Sequence, residues 1–319
     1  MSKKEKTKKA KASTKKTKGA MGIREQMLVK LLPTVIVATV LLTVVSAVNS
    51  KNTITDQIQD TMTAELQSNS NQIDADLTEV RLQCINLARE VSQYYQTTSM
   101  DQFKTSFSIA ISNSEIINGS GIWFEPFAYS PEAEYMGPYW YKDGDSIVET
   151  YEYSNAEYDY FNQEYYTNAA AMEAGTATIT DPYYDESSGT VMASCSAPFF
   201  DGTGKYLGCV TCDISLDTMV GIVSSIQVGD NGTAMLVTSS GTYIYTEDEE
   251  KVSSATNITE DDNASLAKAG AKVLANESGL TTYTEGDETY NLYYSTIPEV
   301  NWKLMIKMPQ SEINAPVKK

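Results

Sequence analysis

The chain has 319 residues, 41% of them hydrophobic, and carries a net charge of -18 with no histidine. That length supports two modest cores or one large one, and so acidic a body argues against a nucleic-acid partner, because phosphate would be repelled. Without histidine these residues hold no Ser-His-Asp triad, no Cys-His dyad and no phosphorylated histidine.

The charge is unevenly distributed. Residues 1–30 carry eleven Lys/Arg against Glu5 and Glu25, a balance of +9, which leaves the rest of the chain at -27. Taken alone, the basic head reads as a solvated tail. It precedes "LLPTVIVATVLLTVVSAV", Leu31 to Val48, an uncharged and mostly apolar run of 18 residues. As a helix this run spans about 27 Å, near the thickness of a bilayer's hydrocarbon. Basic residues before it and only Lys51 just beyond predict a cytoplasmic N-terminus and extracytoplasmic residues 49–319, in a cell-membrane protein. Val45-Ser46-Ala47 also offers a small-residue cleavage site, so a cleaved signal peptide is the competing reading. The long basic region and the long apolar run favour an uncleaved anchor.

Beyond the span, apolar residues recur at Ile54, Ile58, Met62 and Leu66, then at Ile73, Leu77, Val80, Cys84, Leu87 and Val91. The second set alternates steps of four and three, the spacing of a helix-packing seam. It predicts one long helix over about residues 51–95 that can pair with a second copy as a parallel homodimer through the stalk. A shorter helix is expected over residues 100–113, with Phe103 and Phe107 on one face and Ser99 as a cap.

After Gly119 the period changes to two. "GIWFEP", "GPYWYKDG", "TATITDPYY", "TVMASCSAPFF" and "KYLGCVTCDISL" read as strands, the last two joined by the turn "DGTGK". "SLDTMVGIVSSI" returns to helical spacing. A smaller cycle repeats the plan. "GTAMLVT" and "GTYIYT" are strands, and "EDDNASLAKAGAKVLANESG" is a helix ended by Gly279. "LTTYTEG", "ETYNLYYSTIP" and "NWKLMIKMP" are three more strands. The pattern is α+β: a transmembrane helix, a long stalk helix, then two lobes of antiparallel sheet with flanking helices.

The cysteines Cys84, Cys195, Cys209 and Cys212 do not suggest a metal. Cys209 and Cys212 lie three apart on a strand and so point to opposite faces, and no second pair completes a site. Cys195 and Cys209 sit on opposite arms of a hairpin, where either a disulfide or plain small hydrophobes would fit. No cofactor is expected.

Glu157 to Gly189, "EYDYFNQEYYTNAAAMEAGTATITDPYYDESSG", holds six tyrosines and seven carboxylates and no lysine or arginine. Together with "GIWFEP", "DPYYDESSGTVMASCSAP", "GKYLGCVTCDISLD" and "WKLMIKMP", the order of motifs resembles the double Cache sensor domain of bacterial transmembrane receptors, over about residues 49–312. The basic head and apolar span look like the start of a methyl-accepting chemotaxis receptor. Histidine kinases, diguanylate cyclases and phosphatases share the input domain.

The resemblance implies two PAS-like lobes on the stalk helix. Residues 1–30 would form a cytoplasmic tail, 31–48 the membrane helix, and 49–115 the stalk and long helix. Residues 116–226 would be a membrane-distal lobe that binds ligand, 227–312 a membrane-proximal lobe, and 313–319 the start of a juxtamembrane helix. Amino-acid-binding members of the family carry a Tyr, an Arg five residues on, then x-Trp-Tyr, a later Tyr-x-Asp and a final Asp after a strand. Here Tyr158 holds the first place and Gln163 that of the Arg. Tyr165 stands for the Trp, and Tyr166 matches the next Tyr. Tyr183 and Asp185 match the pair, and Asp213 the last Asp. Trp123 is added as a pocket-facing aromatic, while Tyr139 and Tyr151 are read as scaffold.

With the Arg replaced by Gln163, the resemblance implies a small-molecule ligand, either an amine or modified amino acid held by phenol faces and carboxylates or an uncharged molecule held by tyrosine hydroxyls. Two other function classes stay open: a ligand-free structural ectodomain, and an exported enzyme, for which no nucleophile–base spacing is present.

Overall fold

The computed structural model describes residues 22–185, 190–226 and 228–313. Residues 1–21 of the expected tail and the expected juxtamembrane start after Ile313 lie outside the described residues. The chain divides into an N-terminal unit through Ile54 and a body from Thr55 onward.

Both expected long helical segments fall within α1 (Ile23–Tyr94). In the N-terminal unit Leu31, Val35, Ile36, Val40 and Leu41 are all exposed, and the run is long and apolar enough to cross a bilayer. Three of its hydroxyls are satisfied within the helix: Thr34, Thr39 and Thr43 each donate to the carbonyl four residues earlier at 2.8 Å.

In the body, α1 forms the spine of the core. Met62, Leu66, Ile73, Leu77, Val80, Cys84, Leu87 and Val91 are all buried within the chain. The four-three seam from Ile73 to Val91, and Met62 and Leu66 before it, thus pack within the same chain. α2 (Met100–Asn113) has the expected bounds and buries Phe103 and Phe107.

The first sheet has seven strands: β1 (Ile117–Phe124), β2 (Tyr139–Asp143), β3 (Ser146–Thr150), β4 (Thr178–Ile179), β5 (Tyr183–Asp185), β6 (Thr190–Phe200) and β7 (Tyr206–Ser215). Their order is β3-β2-β1-β7-β6-β4, with β5 also on β6. α3 (Glu164–Ala170) and α4 (Leu216–Ser224) complete this lobe. The second sheet holds β8 (Thr233–Val237), β9 (Tyr243–Tyr245), β10 (Ser278–Glu285), β11 (Glu288–Ile297) and β12 (Trp302–Pro309), ordered β10-β11-β12-β8-β9. α5 (Glu249–Ser253), α6 (Ala264–Leu274) and α7 (Gln310–Ile313) accompany it. Apart from the added β3, the two lobes run through the same strand order, so the repeat seen in the sequence is a repeat of topology.

Three local readings differ. The strand β3 was not anticipated; Gly144 at φ 58° makes the two-residue turn that returns the chain from β2. The stretch "TATITDPYY" splits into β4 and β5, with Pro182, which has no N–H to give a ladder, between them. α6 ends at Leu274, and Gly279 instead lies in β10 at φ 154°, where a side chain would meet the Tyr294 phenol.

All four cysteines are thiols. Cys195 stands opposite Cys212 and Cys209 opposite Pro198, so a Cys195–Cys209 disulfide is ruled out by register. Cys84 donates its thiol to the carbonyls of Cys195 and Val210 at 3.4 and 3.3 Å, where α1 crosses the first sheet.

Leu77 is wholly buried whereas Leu82, on the opposite side of α1, is 50% exposed. Leu77→Ala should therefore cost about 2–5 kcal/mol in urea unfolding of the body, and Leu82→Ala within about 0.5 kcal/mol. Equal effects would contradict the burial of the seam.

Candidate ligand-binding site

The strands of the first sheet alternate between two environments. Ile122 and Phe124 of β1, Val210, Cys212 and Ile214 of β7, and Trp140 of β2 join the core built on α1. Their neighbours Trp123, Cys209 and Tyr139 face the other way, into a cluster of Tyr153, Tyr160, Tyr165 and Tyr166. Two glycines make this second face possible. A side-chain carbon on Gly121 would lie 2.7 Å from the Trp123 ring and 3.0 Å from the Tyr139 ring, and one on Gly119 would collide with the Tyr139 hydroxyl. The rings thus lie against bare backbone.

Trp123 is fixed from several sides. Its Nε1 donates to Thr211 Oγ1 at 3.0 Å. Its ring stands 6.0 Å from Tyr139, 6.0 Å from Tyr153, 5.3 Å from Tyr160 and 5.4 Å from Tyr165, centroid to centroid. Tyr160, wholly buried, donates to the Phe124 carbonyl at 2.6 Å and accepts from Met136 N at 3.1 Å. The rings therefore keep a fixed mutual geometry.

At the centre is a cavity of about 10 Å³, lined by Trp123, Tyr139, Tyr153, Tyr158, Tyr165, Tyr183, Met192 and Asp213. That is room for roughly one water. Among the described residues Asp213 is the one charged residue of the lining, and it is buried. Ser194 donates to Asp213 Oδ1 at 2.6 Å, so its oxygen accepts from the Tyr183 hydroxyl at 2.7 Å. Tyr139 also hydrogen-bonds Asp213. The result is a carboxylate set among hydroxyls under a roof of π faces, an arrangement that draws a positive group inward.

Of the residues singled out in the sequence, Trp123, Tyr158, Tyr165, Tyr183 and Asp213 meet at this cavity. Gln163 and Tyr166 stand outside its lining. Gln163, half-buried at the start of α3, donates its amide to the Tyr158 carbonyl at 3.1 Å. Tyr166 donates to Glu125 Oε1 at 2.5 Å and packs on Tyr160 and Tyr206. Asp185 ends β5, paired with Thr190, and its side chain lies outside the described residues. Sequence reasoning missed Tyr139, Tyr153, Met192 and Ser194. The signal for Tyr139 was present: two alternate glycines in "GSGIW" leave room for a large ring from the neighbouring strand.

The chain belongs to the Cache domain family, whose family model matches residues 49–317. Among curated relatives, the methyl-accepting chemotaxis protein McpB of Bacillus subtilis is 30% identical over 147 residues, 45% of this chain and 20% of McpB. The methyl-accepting chemotaxis protein PctB of Pseudomonas aeruginosa is 33% identical over 97 residues, 30% of this chain and 15% of PctB. The matched stretch thus spans about a fifth or less of these relatives' length. Among solved structures, the periplasmic sensory domain of the Campylobacter jejuni chemoreceptor Tlp1 superposes with a TM-score of 0.66 at 14% identity, covering 83% of this chain and 100% of that one. The ligand-binding domain of Pseudomonas aeruginosa PctB in complex with L-Arg gives 0.60 at 18% identity, covering 82% and 98%. At these identities the structures show a shared fold.

The buried phenols shift in one direction. Burial, then the charge of Asp213, pushes Tyr139 up; burial, then Tyr158, pushes Tyr165 up; burial, then Glu125, pushes Tyr166 up. Tyr151, at the edge, is pushed up to about 12 by burial and Glu149. A phenol raised in the fold contributes fully below its unfolded value of about 10, and that contribution is lost as pH rises from there through the folded value. Phenolate absorbance should therefore include a fraction, from Tyr139, Tyr165 and Tyr166, that appears only together with unfolding. Smooth ionisation of all 21 tyrosines without loss of structure would contradict the buried cluster.

Proposed function

We propose that this chain is the sensing end of a chemotaxis receptor, anchored by the apolar part of α1, with its N-terminus cytoplasmic and residues 49–319 extracytoplasmic. The lobe of residues 116–226 is the membrane-distal, ligand-binding one, and that of 227–312 the proximal one. Family membership, the chemoreceptor relatives and the exposed apolar run support this reading. Any homodimer would form through the stalk ahead of Met62, since the seam beyond it is buried. No catalytic role is proposed.

The ligand is a small amine or modified amino acid, and the observation that carries this is the small aromatic cavity with Asp213 as its one lining charge among the described residues. Phenol and indole faces attract an ammonium group by ~0.5–2 kcal/mol each, depending on desolvation. A charge-assisted hydrogen bond to a buried carboxylate adds roughly 1.5–3 kcal/mol. Gln163, at the place of the carboxylate-gripping Arg, is uncharged and gives its amide N–H to the Tyr158 carbonyl, so it supplies no clamp for a free carboxylate. Because the cavity holds about one water, the ligand enters by moving a wall, so binding and conformational change are one event.

Calorimetry on residues 49–319 with amines, amino acids and neutral metabolites should give a cation as the best ligand. Asp213→Asn should weaken it by about 10- to 100-fold, the loss of one charge-assisted hydrogen bond. An anion as best ligand, or unchanged affinity in the variant, would overturn the pocket reading.

Topology has its own check. Protease added to intact cells should digest the body and spare the basic head. Mature protein free in the medium with an N-terminus near Val48 would overturn the anchor.

A further inference from the structure

A second cavity, of about 720 Å³, lies between the two lobes. Val191 of β6 and Val220 of α4 line it from the first lobe, and Ile244 and Tyr245 of β9 and Val252 of α5 from the second. Tyr184 of β5 lines it while 61% exposed, and Val191 is 39% exposed. The fold thus leaves a large ring and a branched aliphatic side chain in water at the mouth of a concave, mostly apolar space. In size, character and position between lobes, this space matches small-molecule sites, which run to about 300–1,000 Å³.

The lining also selects a chemical class. Among the described residues it includes no lysine or arginine, and its charged members are Glu247 and Glu249, both exposed at the rim. Glu247 pairs with Lys307 at 2.9 Å, whereas no salt bridge among the described residues involves Glu249. Phenol rings of Tyr183, Tyr184, Tyr243 and Tyr245 border the space. An anion would meet carboxylates and π faces. An uncharged or singly cationic aromatic molecule would meet apolar walls, aromatic partners and an acidic mouth.

We propose that this interlobe cleft is a second binding site, for an apolar aromatic molecule that is neutral or carries one positive charge. Its occupancy opposes ligand binding in the first cavity, and this second part rests on the reading given under Proposed function. Tyr183 lines both cavities. The first cavity must expand to admit a ligand. Trp123 and Tyr139 lie against the glycine floor of the sheet and Tyr165 is buried within the aromatic cluster, whereas the wall at Tyr183 has the cleft behind it. A molecule in the cleft fills that space and keeps Tyr183 in place. Coupling of this kind is reciprocal, so each ligand weakens the other by the same factor.

Residues 55–319 carry their own core, so the test uses the soluble body, residues 49–319, with phenylnaphthylamine as a neutral fluorescent arylamine. The dye should bind saturably to the parent and equally well to Asp213→Asn. Val220→Trp, which fills the cleft, should weaken it at least about tenfold while leaving the thermal midpoint near that of the parent. Val252→Trp makes the same change from the opposite wall, in case the first variant does not fold. Naphthoate, an anion of similar shape, should bind at least about tenfold more weakly than the dye. Dye binding unaffected by both cleft variants, naphthoate binding as tight as the dye, or no dye binding because light scattering shows a second copy covering the cleft would each overturn the site. With the site established, a first-cavity amine whose affinity is unchanged by saturating dye would overturn the opposition between the two. Failure to find any first-cavity amine would count against the function reading and leave the cleft result intact.

Discussion

A strand buried on both faces sends alternate side chains to two destinations, and the first lobe depends on keeping those destinations chemically different. On β1 and β7 one face is hydrocarbon that meets α1, while the other is indole, phenol and carboxylate. A shift of one residue in register would exchange the two faces. It would put Asp213 against the α1 core and Val210 and Ile214 among the phenols. The register Gly119↔Asp213 and Gly121↔Thr211 is therefore both a condition of folding and the reason a polar site exists at all. Alternate glycines on β1 belong to the same constraint, since the rings can lie on the sheet only where side chains are missing.

α1 ties this arrangement to the second lobe. Near its far end Cys84 meets the first sheet. Nearer the N-terminal unit the helix grips the turn between β11 and β12. Ser70 donates to the Thr296 carbonyl at 3.2 Å, Asp74 accepts from Glu299 N at 2.8 Å, and Arg81 pairs with Glu299 at 2.7 Å. The ion pair is partly exposed and contributes about 1 kcal/mol or less; its role is to fix position. From the other side, Trp302 at the start of β12 donates to Asp181 Oδ1 at 3.1 Å, two residues before Tyr183. The segment leading into β5 and the spine helix thus both contact the β11–β12 end of the second lobe's sheet.

The fold was largely legible in the sequence because its signals are periodic. The four-three steps from Ile73 to Val91 gave the helix, and the alternation in "TVMASCSAPFF" and "KYLGCVTCDISL" gave the central strands. What the pattern could not assign was the partner of the seam, since helix spacing is the same whether the helix packs on a second copy or on its own sheets. The site was legible in part. Trp123, Tyr158, Tyr165, Tyr183 and Asp213 come from motifs with recognisable order, whereas Tyr153 and Met192 arrive by tertiary packing and Ser194 by its register opposite Asp213. Gln163 and Tyr166 show the converse. Position in a motif placed them beside the site, yet their side chains are committed to Tyr158 and Glu125. The cysteine hairpin shows how much one register step decides, because Cys195 faces Cys212 and the α1 core while Cys209 faces the tyrosines.

The claim on which the account rests is that Asp213 is the counter-charge of a ligand held in the aromatic cavity. The most direct test is a crystal structure of residues 49–319 with a ligand selected by thermal stabilisation. The account predicts a cationic nitrogen within about 3 Å of an Asp213 carboxylate oxygen, enclosed by Trp123, Tyr139 and Tyr165, with Tyr183 displaced. A ligand seated elsewhere in the first lobe, or an anionic group beside Asp213, would contradict it.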